Sequence, residues 1–161
     1  MVTEKDIWKF LEEVSDPEIP VLTIADLGVI RSISLENDDC LVVITPTYSG
    51  CPAMKVIEED IISKLNEKGI SNVKVELTLS PAWTTDWITE NGRNKLREYG
   101  IAPPENEIDK SVLFAEPTVV PCPKCTSKNT RMISQFGSTA CKAHYECNDC
   151  LEPYDYFKCL K

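Results

Sequence analysis

The residues in this chain best equipped for chemistry are its eight cysteines, and they are unevenly placed. Cys40 and Cys51 stand alone in the first part, and the other six follow residue 121. Cys122-Pro123-Lys124-Cys125 and Cys147-Asn148-Asp149-Cys150 form two C-x-x-C knuckles with 21 residues between them. Each knuckle offers two sulfurs on one side of a tight turn. Two such knuckles close a tetrahedron with no open position, which makes a structural Zn²⁺ site the leading expectation for Cys122, Cys125, Cys147 and Cys150. Iron in a rubredoxin-like electron carrier would use the same four sulfurs and stays open at this stage. Residues 119–161 hold too small a core to fold alone, so metal binding would supply folding free energy. Cys141 and Cys159 are left over. Cys141-Lys142-Ala143-His144 has ligand-like C-x-x-H spacing, and His144 is the one histidine of the chain. Cys141, His144 and Cys159 are therefore candidates for a second metal site; the competing reading is a surface histidine and two cysteines packed in a small ribbon.

The second locus is Thr47-Tyr48-Ser49-Gly50-Cys51-Pro52, between the apolar run from Leu41 to Ile44 and a helical pattern that begins at Ala53. A strand that feeds a helix through a glycine-containing turn places the turn at the C-terminal edge of a sheet, where open α/β sheets bind ligands. Pro52 suits the first helical position. The positive end of the helix is expected to favour a thiolate and lower the pKa of Cys51; the alternative is a half-buried cysteine in a tight turn. Asp16-Pro17-Glu18-Ile19-Pro20 is a proline-braced loop with two carboxylates, either a solvated turn with an Asp cap or a preorganised acidic loop aimed at Cys51 or a metal. Ser80-Pro81-Ala82-Trp83-Thr84-Thr85-Asp86-Trp87-Ile88 also follows a strand end. Trp83 and Trp87 belong either to the core or to an exposed anchor for a partner.

The elements that position these residues follow from periodicity. Thr3 and Asp6 suggest a capping box, and Ile7, Phe10, Leu11 and Val14 a helix over residues 4–14 that stops before Asp16-Pro17. Val29, Ile33 and Leu35 alternate with polar residues in a first strand. Cys40 to Thr45 is a second, antiparallel to the first, buried on both faces, with Cys40 a small core residue. Met54, Ile57, Ile61, Ile62 and Leu65 define a helix closed by Gly69, and residues 73–79 a third strand. The strand–helix–strand unit implies parallel pairing, and a further helix runs over residues 85–99. The fold class is α+β: a small mixed sheet with helices on one face, in the order αββαβα, then a β-rich ribbon with strands near 130–136, 142–146 and 154–158. The domains are residues 1–101 and 119–161. The segment 102–118 is a linker that lies along the first domain through Val112-Leu113-Phe114.

Net charge is −9. From Val119 onward six Lys/Arg face four acids, whereas the rest carries 11 basic and 22 acidic residues. Neither part suits a phosphate backbone, so nucleic acid is not an expected partner. No apolar run approaches a membrane span, and the N-terminus has neither the basic region nor the apolar core of a signal peptide. Cytoplasmic localisation follows by default.

Taken together, Asp16-Pro17-Glu18-Ile19-Pro20, Asp26-Leu27-Gly28 and Thr47 through Pro52 resemble the iron–sulfur assembly domain of SufT-type proteins. The knuckles, Phe136-Gly137-Ser138-Thr139-Ala140-Cys141-Lys142-Ala143, Glu152-Pro153, Tyr156-Phe157-Lys158-Cys159 and the Pro81 to Ile88 segment narrow the resemblance to the PaaD family. These are accessory proteins of bacterial phenylacetyl-CoA ring-epoxidase systems in aerobic phenylacetate degradation. The resemblance implies a non-enzymatic accessory or maturation role for metal centres of that complex, whose oxygenase and reductase subunits are the implied partners. It also makes Cys51 the reactive cysteine, in the turn that Thr47 opens, and Asp16 and Glu18 its acidic loop. One thiolate cannot hold an iron–sulfur cluster. A transient cluster or iron would need a second protomer in a homodimer, Asp16 or Glu18, or the client's cysteines. The other role left open is a non-catalytic structural or adaptor subunit of the oxygenase. Two residues depart from the family pattern: Thr126, where a glycine usually follows the first knuckle, and His144, at an apolar position.

Overall fold

The computed structural model describes residues 2–104 and 119–158. Cys159 and the segment Val112-Leu113-Phe114 lie outside the described residues. The chain divides into two compact units, Met1–Gly92 and Arg93–Lys161.

The first unit begins with helix α1 (Glu4–Leu11). Its capping box is present: the Asp6 amide donates to Thr3 Oγ1 at 3.3 Å and the Thr3 amide donates to Asp6 Oδ2 at 2.9 Å, which satisfies two otherwise orphaned donors. Regular helix ends three residues earlier than expected, in the turns from Glu12 to Val14. Strand β1 (Ile30–Glu36) pairs antiparallel with β2 (Asp39–Ile44), helix α2 (Ala53–Glu67) follows, and β3 (Asn72–Leu77) pairs parallel with β2. The sheet order is β1-β2-β3.

Strand alternation puts Ile33, Cys40, Val42 and Ile44 on one face, and these side chains are buried. Helix α1 contributes Ile7 and Leu11 to the core, and α2 contributes Ala53, Met54, Ile57, Ile61 and Leu65. The helices cover this face unevenly. Val73 and Val75 of β3 are half-buried, and Leu77 and Leu79 are 53% and 60% exposed. On the opposite face Leu41 and Val43 of β2 are half-buried, so the expectation of a strand buried on both faces is corrected.

Past β3, a single helix over residues 85–99 gives way to a 3₁₀ turn (Thr85–Trp87) and helix α3 (Glu90–Glu98). Two capping threonines make the break. Thr84 Oγ1 accepts from the Asp86 amide, and Thr89 Oγ1 accepts from the Gly92 amide at 3.0 Å. Ile88 between them is extended. This segment is sewn to Asp26-Leu27-Gly28. Asp26 Oδ1 accepts from Thr89 Oγ1 (3.2 Å) and Asn91 Nδ2 (3.0 Å), and Trp83 Nε1 donates to the Leu27 carbonyl at 2.8 Å. Gly28 has φ +68°, and a Cβ there would lie 2.5 Å from the Trp87 carbonyl oxygen. Only glycine allows both that backbone and that approach.

The second unit is a four-stranded sheet in the order β4-β7-β6-β5: β4 (Ile101–Ala102), β5 (Thr130–Ser134), β6 (Lys142–Cys147) and β7 (Pro153–Phe157). β4 pairs parallel with β7. Residues 101 and 102, assigned from sequence to the end of the first domain and the start of the linker, thus belong to the ribbon's sheet. The core joins Ala102, Val120, Ala143, Tyr145, Tyr154 and Tyr156 around Cys122 and Cys147. Tyr145 stacks on Tyr154 with centroids 5.9 Å apart and meets Tyr156 edge-on at 5.8 Å. The buried Tyr154 hydroxyl donates to the Val120 carbonyl at 2.7 Å, as a buried phenol requires.

Candidate functional site

Cys51 stands where the sheet edge meets the head of α2. Its amide donates to the Tyr48 carbonyl at 3.2 Å, and Pro52 is the N-cap residue of α2. Gly50 at φ +78° turns the chain just before it. The sulfur is half-buried. Burial pushes its thiol up, and the carboxylates of Glu18 and, less strongly, Asp16 push it the same way; the Ala53 amide and the Tyr48 side chain act in the opposite sense and are outweighed. The expected lowered pKa is therefore corrected. A helix N-terminus offers about half a unit of positive charge, which does not offset burial together with two nearby carboxylates. The free protein holds Cys51 as a thiol at neutral pH.

The structure brings the acidic loop into electrostatic reach of Cys51, although the two lie far apart in sequence. Asp16 is 7% exposed; its Oδ1 accepts from the amides of Glu18 (2.9 Å) and Ile19 (2.7 Å). Glu18 is half-buried. The two carboxylates and Cys51 do not converge into a closed cage: among the described residues the ribbon's four cysteines form the one such cluster. Thr47 is half-buried in the same turn, and its place in the site rests on the motif. One neighbouring residue went unnoticed in the sequence. Thr45, at the end of β2, is 1% exposed and its hydroxyl has no hydrogen-bond partner among the described residues. A Thr two places before the Thr47 turn reads as ordinary strand, and nothing in its local pattern signals this.

In the ribbon, Cys122 Sγ lies 3.7 Å from Cys150 Sγ and Cys125 Sγ lies 3.5 Å from Cys147 Sγ; all four sulfurs fall within 4.8 Å of one another. Tetrahedral Zn²⁺ with Zn–S bonds of about 2.3 Å needs sulfurs about 3.8 Å apart, so the donor set fits. The Cys150 amide donates to the Cys147 sulfur and, outweighing burial and joined by the Asp149 amide, lowers that thiol to about 7. The Ser127 amide acts likewise on Cys125, yet crowding by the other three sulfurs and burial push that thiol up to about 12. Four thiolates at this spacing need a dication among them, and the ribbon is the structural zinc site. Two knuckle residues take left-handed backbone, Thr126 at φ 62° and Leu151 at φ 61°. A glycine at the Thr126 position, as the resemblance implies, would take that backbone without strain.

Among the described residues Cys141 and His144 do not join a metal-binding cluster. Cys141 is buried with Thr139 Oγ1 3.0 Å from its sulfur, whereas His144 Nδ1 lies 3.3 Å from Asp155 Oδ1. C-x-x-H spacing brings ligands together on a turn or helix. Here His144 lies within β6 and Cys141 in the turn before it, and each side chain meets a different neighbour. Trp83 is 3% exposed and tied to Leu27, so it is a core residue and not a partner anchor. Trp87 is half-buried, with the Arg31 guanidinium 3.8 Å from its ring centroid.

Fold and sites define a class: an α+β iron–sulfur-assembly domain joined to a zinc ribbon. Residues 4–77 match the family model of iron–sulfur cluster assembly proteins, and residues 106–158 match that of the PaaD zinc beta ribbon domain. Over 155 residues, 96% of this chain and 92% of the relative, it is 49% identical to an Escherichia coli (strain K12) protein named as a subunit of 1,2-phenylacetyl-CoA epoxidase. The chain belongs to this PaaD family. It is also 40% identical over 96 residues, 58% of this chain and 90% of the relative, to a Porphyromonas gingivalis Fe-S protein maturation auxiliary factor. A crystal structure of a DUF59 domain from Bacillus anthracis superposes with a TM-score of 0.54 at 25% identity, covering 58% of this chain and 90% of that one. No helix among the described residues is long and apolar enough to cross a membrane.

Proposed function

We propose that this chain is an accessory factor that handles iron or iron–sulfur cargo through Cys51 for the metal centres of a phenylacetyl-CoA epoxidase complex, with the zinc ribbon as a structural module. The observation that carries this reading is a half-buried thiol at the sheet edge, within electrostatic reach of two carboxylates, with no closed donor set around it among the described residues. A site that supplies one sulfur and flanking negative charge leaves most of an iron's coordination to other donors. Such a site releases its cargo readily, as a carrier must. Binding exchanges one bond for another: the Cys51 S–H proton passes to solvent as the sulfur bonds iron, and the nearby carboxylates offset the charge of the cation. The carboxylates that disfavour a bare thiolate thus favour the metal-bound one.

Thiol catalysis would want a base within hydrogen-bond reach of the sulfur. The chain's one histidine sits beside Asp155 in the ribbon, which supports a non-enzymatic role. The test is a Cys51→Ala strain. The fold and the zinc content of the protein are expected to stay as they are, while the iron and acid-labile sulfide of the epoxidase reductase fall. Unchanged loading rejects the proposal. The name of the Escherichia coli relative, which makes it part of an epoxidase, favours a second reading, an adaptor within the oxygenase. Stoichiometric copurification with the oxygenase, insensitive to Cys51→Ala, would select it.

A further inference from the structure

Among the described residues strand β3 has one neighbour, β2, and its other edge is open. The Thr78 amide donates to the Ile44 carbonyl at 2.8 Å, and along a parallel strand the residues that bond a given neighbour alternate. Asn72, Lys74 and Glu76 therefore turn their backbone groups toward β2, and Val73, Val75 and Leu77 turn theirs to the open edge. The side chains of this second set are the apolar stripe that the helices leave partly uncovered, with Leu77 exposed and Leu79 exposed just beyond the strand. On the other face Lys74 and Glu76 form an exposed ion pair, of a kind that contributes little to stability. A lysine alone blunts an edge strand against pairing, but here it is matched two places on by an acid.

That spacing makes the edge self-complementary. A twofold axis at Val75 sets Val75 opposite itself, Val73 opposite Leu77 and Lys74 opposite Glu76 of a second, antiparallel copy. The outward backbone groups of Val73, Val75 and Leu77 then meet in hydrogen-bonded pairs. Lys74 and Glu76 fall in the closer, non-hydrogen-bonded pairs. Parallel pairing in register would instead set like charges opposite one another, which is destabilising. We propose that β3 is the seam of a homodimer, in which two copies of the sheet join antiparallel in this register. Directly opposed side chains share a face, so the exposed Leu77 of each copy is covered by Val73 of the other. The proposal is independent of the cargo reading. β2 runs parallel to β3, so the antiparallel seam sends the two Cys51 turns to opposite ends of the joined sheet and does not gather both sulfurs on one cluster.

Charge reversals test both the seam and its register. The measurement is sedimentation velocity of the full-length, zinc-loaded chain over a concentration series, with reductant present to exclude disulfide-linked dimers. The natural chain is expected to show a reversible monomer–dimer equilibrium. Lys74→Glu sets acid against acid in both symmetric pairs, and Glu76→Lys sets base against base. Each is expected to raise the dimer Kd about tenfold or more, with the fold checked by circular dichroism. An equimolar mixture of the two single variants is expected to recover a dimer, because every Glu then faces a Lys. The double variant Lys74→Glu/Glu76→Lys is expected to dimerise as the natural chain does, because the match returns with its signs exchanged. A natural chain that is monomeric at every concentration would overturn the proposal and leave the edge for a strand of a different chain. A dimer indifferent to both single reversals would overturn it too, since it pairs through another surface. So would failure of both the mixture and the double variant to dimerise.

Discussion

Trp83 Nε1 donates to the carbonyl of Leu27 across 56 residues of sequence, at 2.8 Å and away from solvent. That bond fastens the segment after β3 onto Asp26-Leu27-Gly28, the same segment that Thr89 and Asn91 reach through Asp26. Trp83→Phe keeps most of the ring volume but leaves a buried carbonyl unpaired, which costs about 1–3 kcal/mol. Urea denaturation of the first unit, followed by circular dichroism, is expected to show a loss of that size.

Thr45 offers the converse case. Its hydroxyl is buried with no partner among the described residues, and valine has nearly the same shape without the polar atom. Removing an unsatisfied buried group is neutral or favourable, so Thr45→Val is expected to hold or raise stability, by up to about 1 kcal/mol. A loss above that value in urea denaturation would mean that the hydroxyl has a partner in solution.

At Thr126 the backbone takes φ 62°, a conformation that costs a residue with a Cβ about 1–2 kcal/mol. Glycine removes that strain and adds some unfolded-state entropy, which offsets part of the gain. Thr126→Gly is expected to stabilise the zinc-loaded ribbon by about 1 kcal/mol. The check is the thermal midpoint at fixed zinc.

Much of this architecture was legible because its signals are local. The Thr3–Asp6 capping box, the alternation along β1, the helical spacing from Met54 to Leu65 and the two knuckles each fix a structure within a few residues. What escaped depends on partners far along the chain or on the kind of element beneath a motif. The second cap at Thr89 looked like one more helix residue until its contacts with Asp26 and Gly92 were visible. Cys141 and His144 have ligand spacing, yet each meets a different neighbour, Thr139 and Asp155. The direction of the Cys51 shift could not follow from the helix start alone, because burial of the sulfur and the approach of Glu18 and Asp16 come only with tertiary folding.

That shift has a measurable consequence. Burial and the two carboxylates raise the Cys51 thiol above its usual value, and the thiolate is the nucleophile. Alkylation of the metal-free site by iodoacetamide is therefore expected to be slow at pH 7 and to rise with pH, with its midpoint above that of an exposed cysteine. Glu18→Gln removes one raising charge, so its midpoint moves down and the rate at pH 7–8 goes up. A midpoint below that of a free thiol would show that the helix head prevails over the acids.

The ribbon's dependence on its metal follows from the same electrostatics with the opposite sign. Cys125 is pushed up to about 12 among three other sulfurs, so without a dication the four cannot all be thiolates, and the small core of Val120, Ala143 and the three tyrosines has to hold the strands unaided. In the zinc-bound state the ligands are deprotonated, so their folded pKa values lie far below those of free thiols. Such a group contributes stability that is present at neutral pH and is lost as pH falls and protons compete with zinc. Acidification toward pH 5 with a chelator present is expected to release one zinc per chain, read with a colorimetric zinc indicator. The near-ultraviolet dichroism of Tyr145, Tyr154 and Tyr156 should collapse in step. Cys147→Ser should shift that release to higher pH, because it replaces a buried sulfur that two backbone amides hold near 7 with a hydroxyl that ionises far less readily. Zinc loss with the tyrosine signal intact would show that the core carries the fold and that the metal only decorates it.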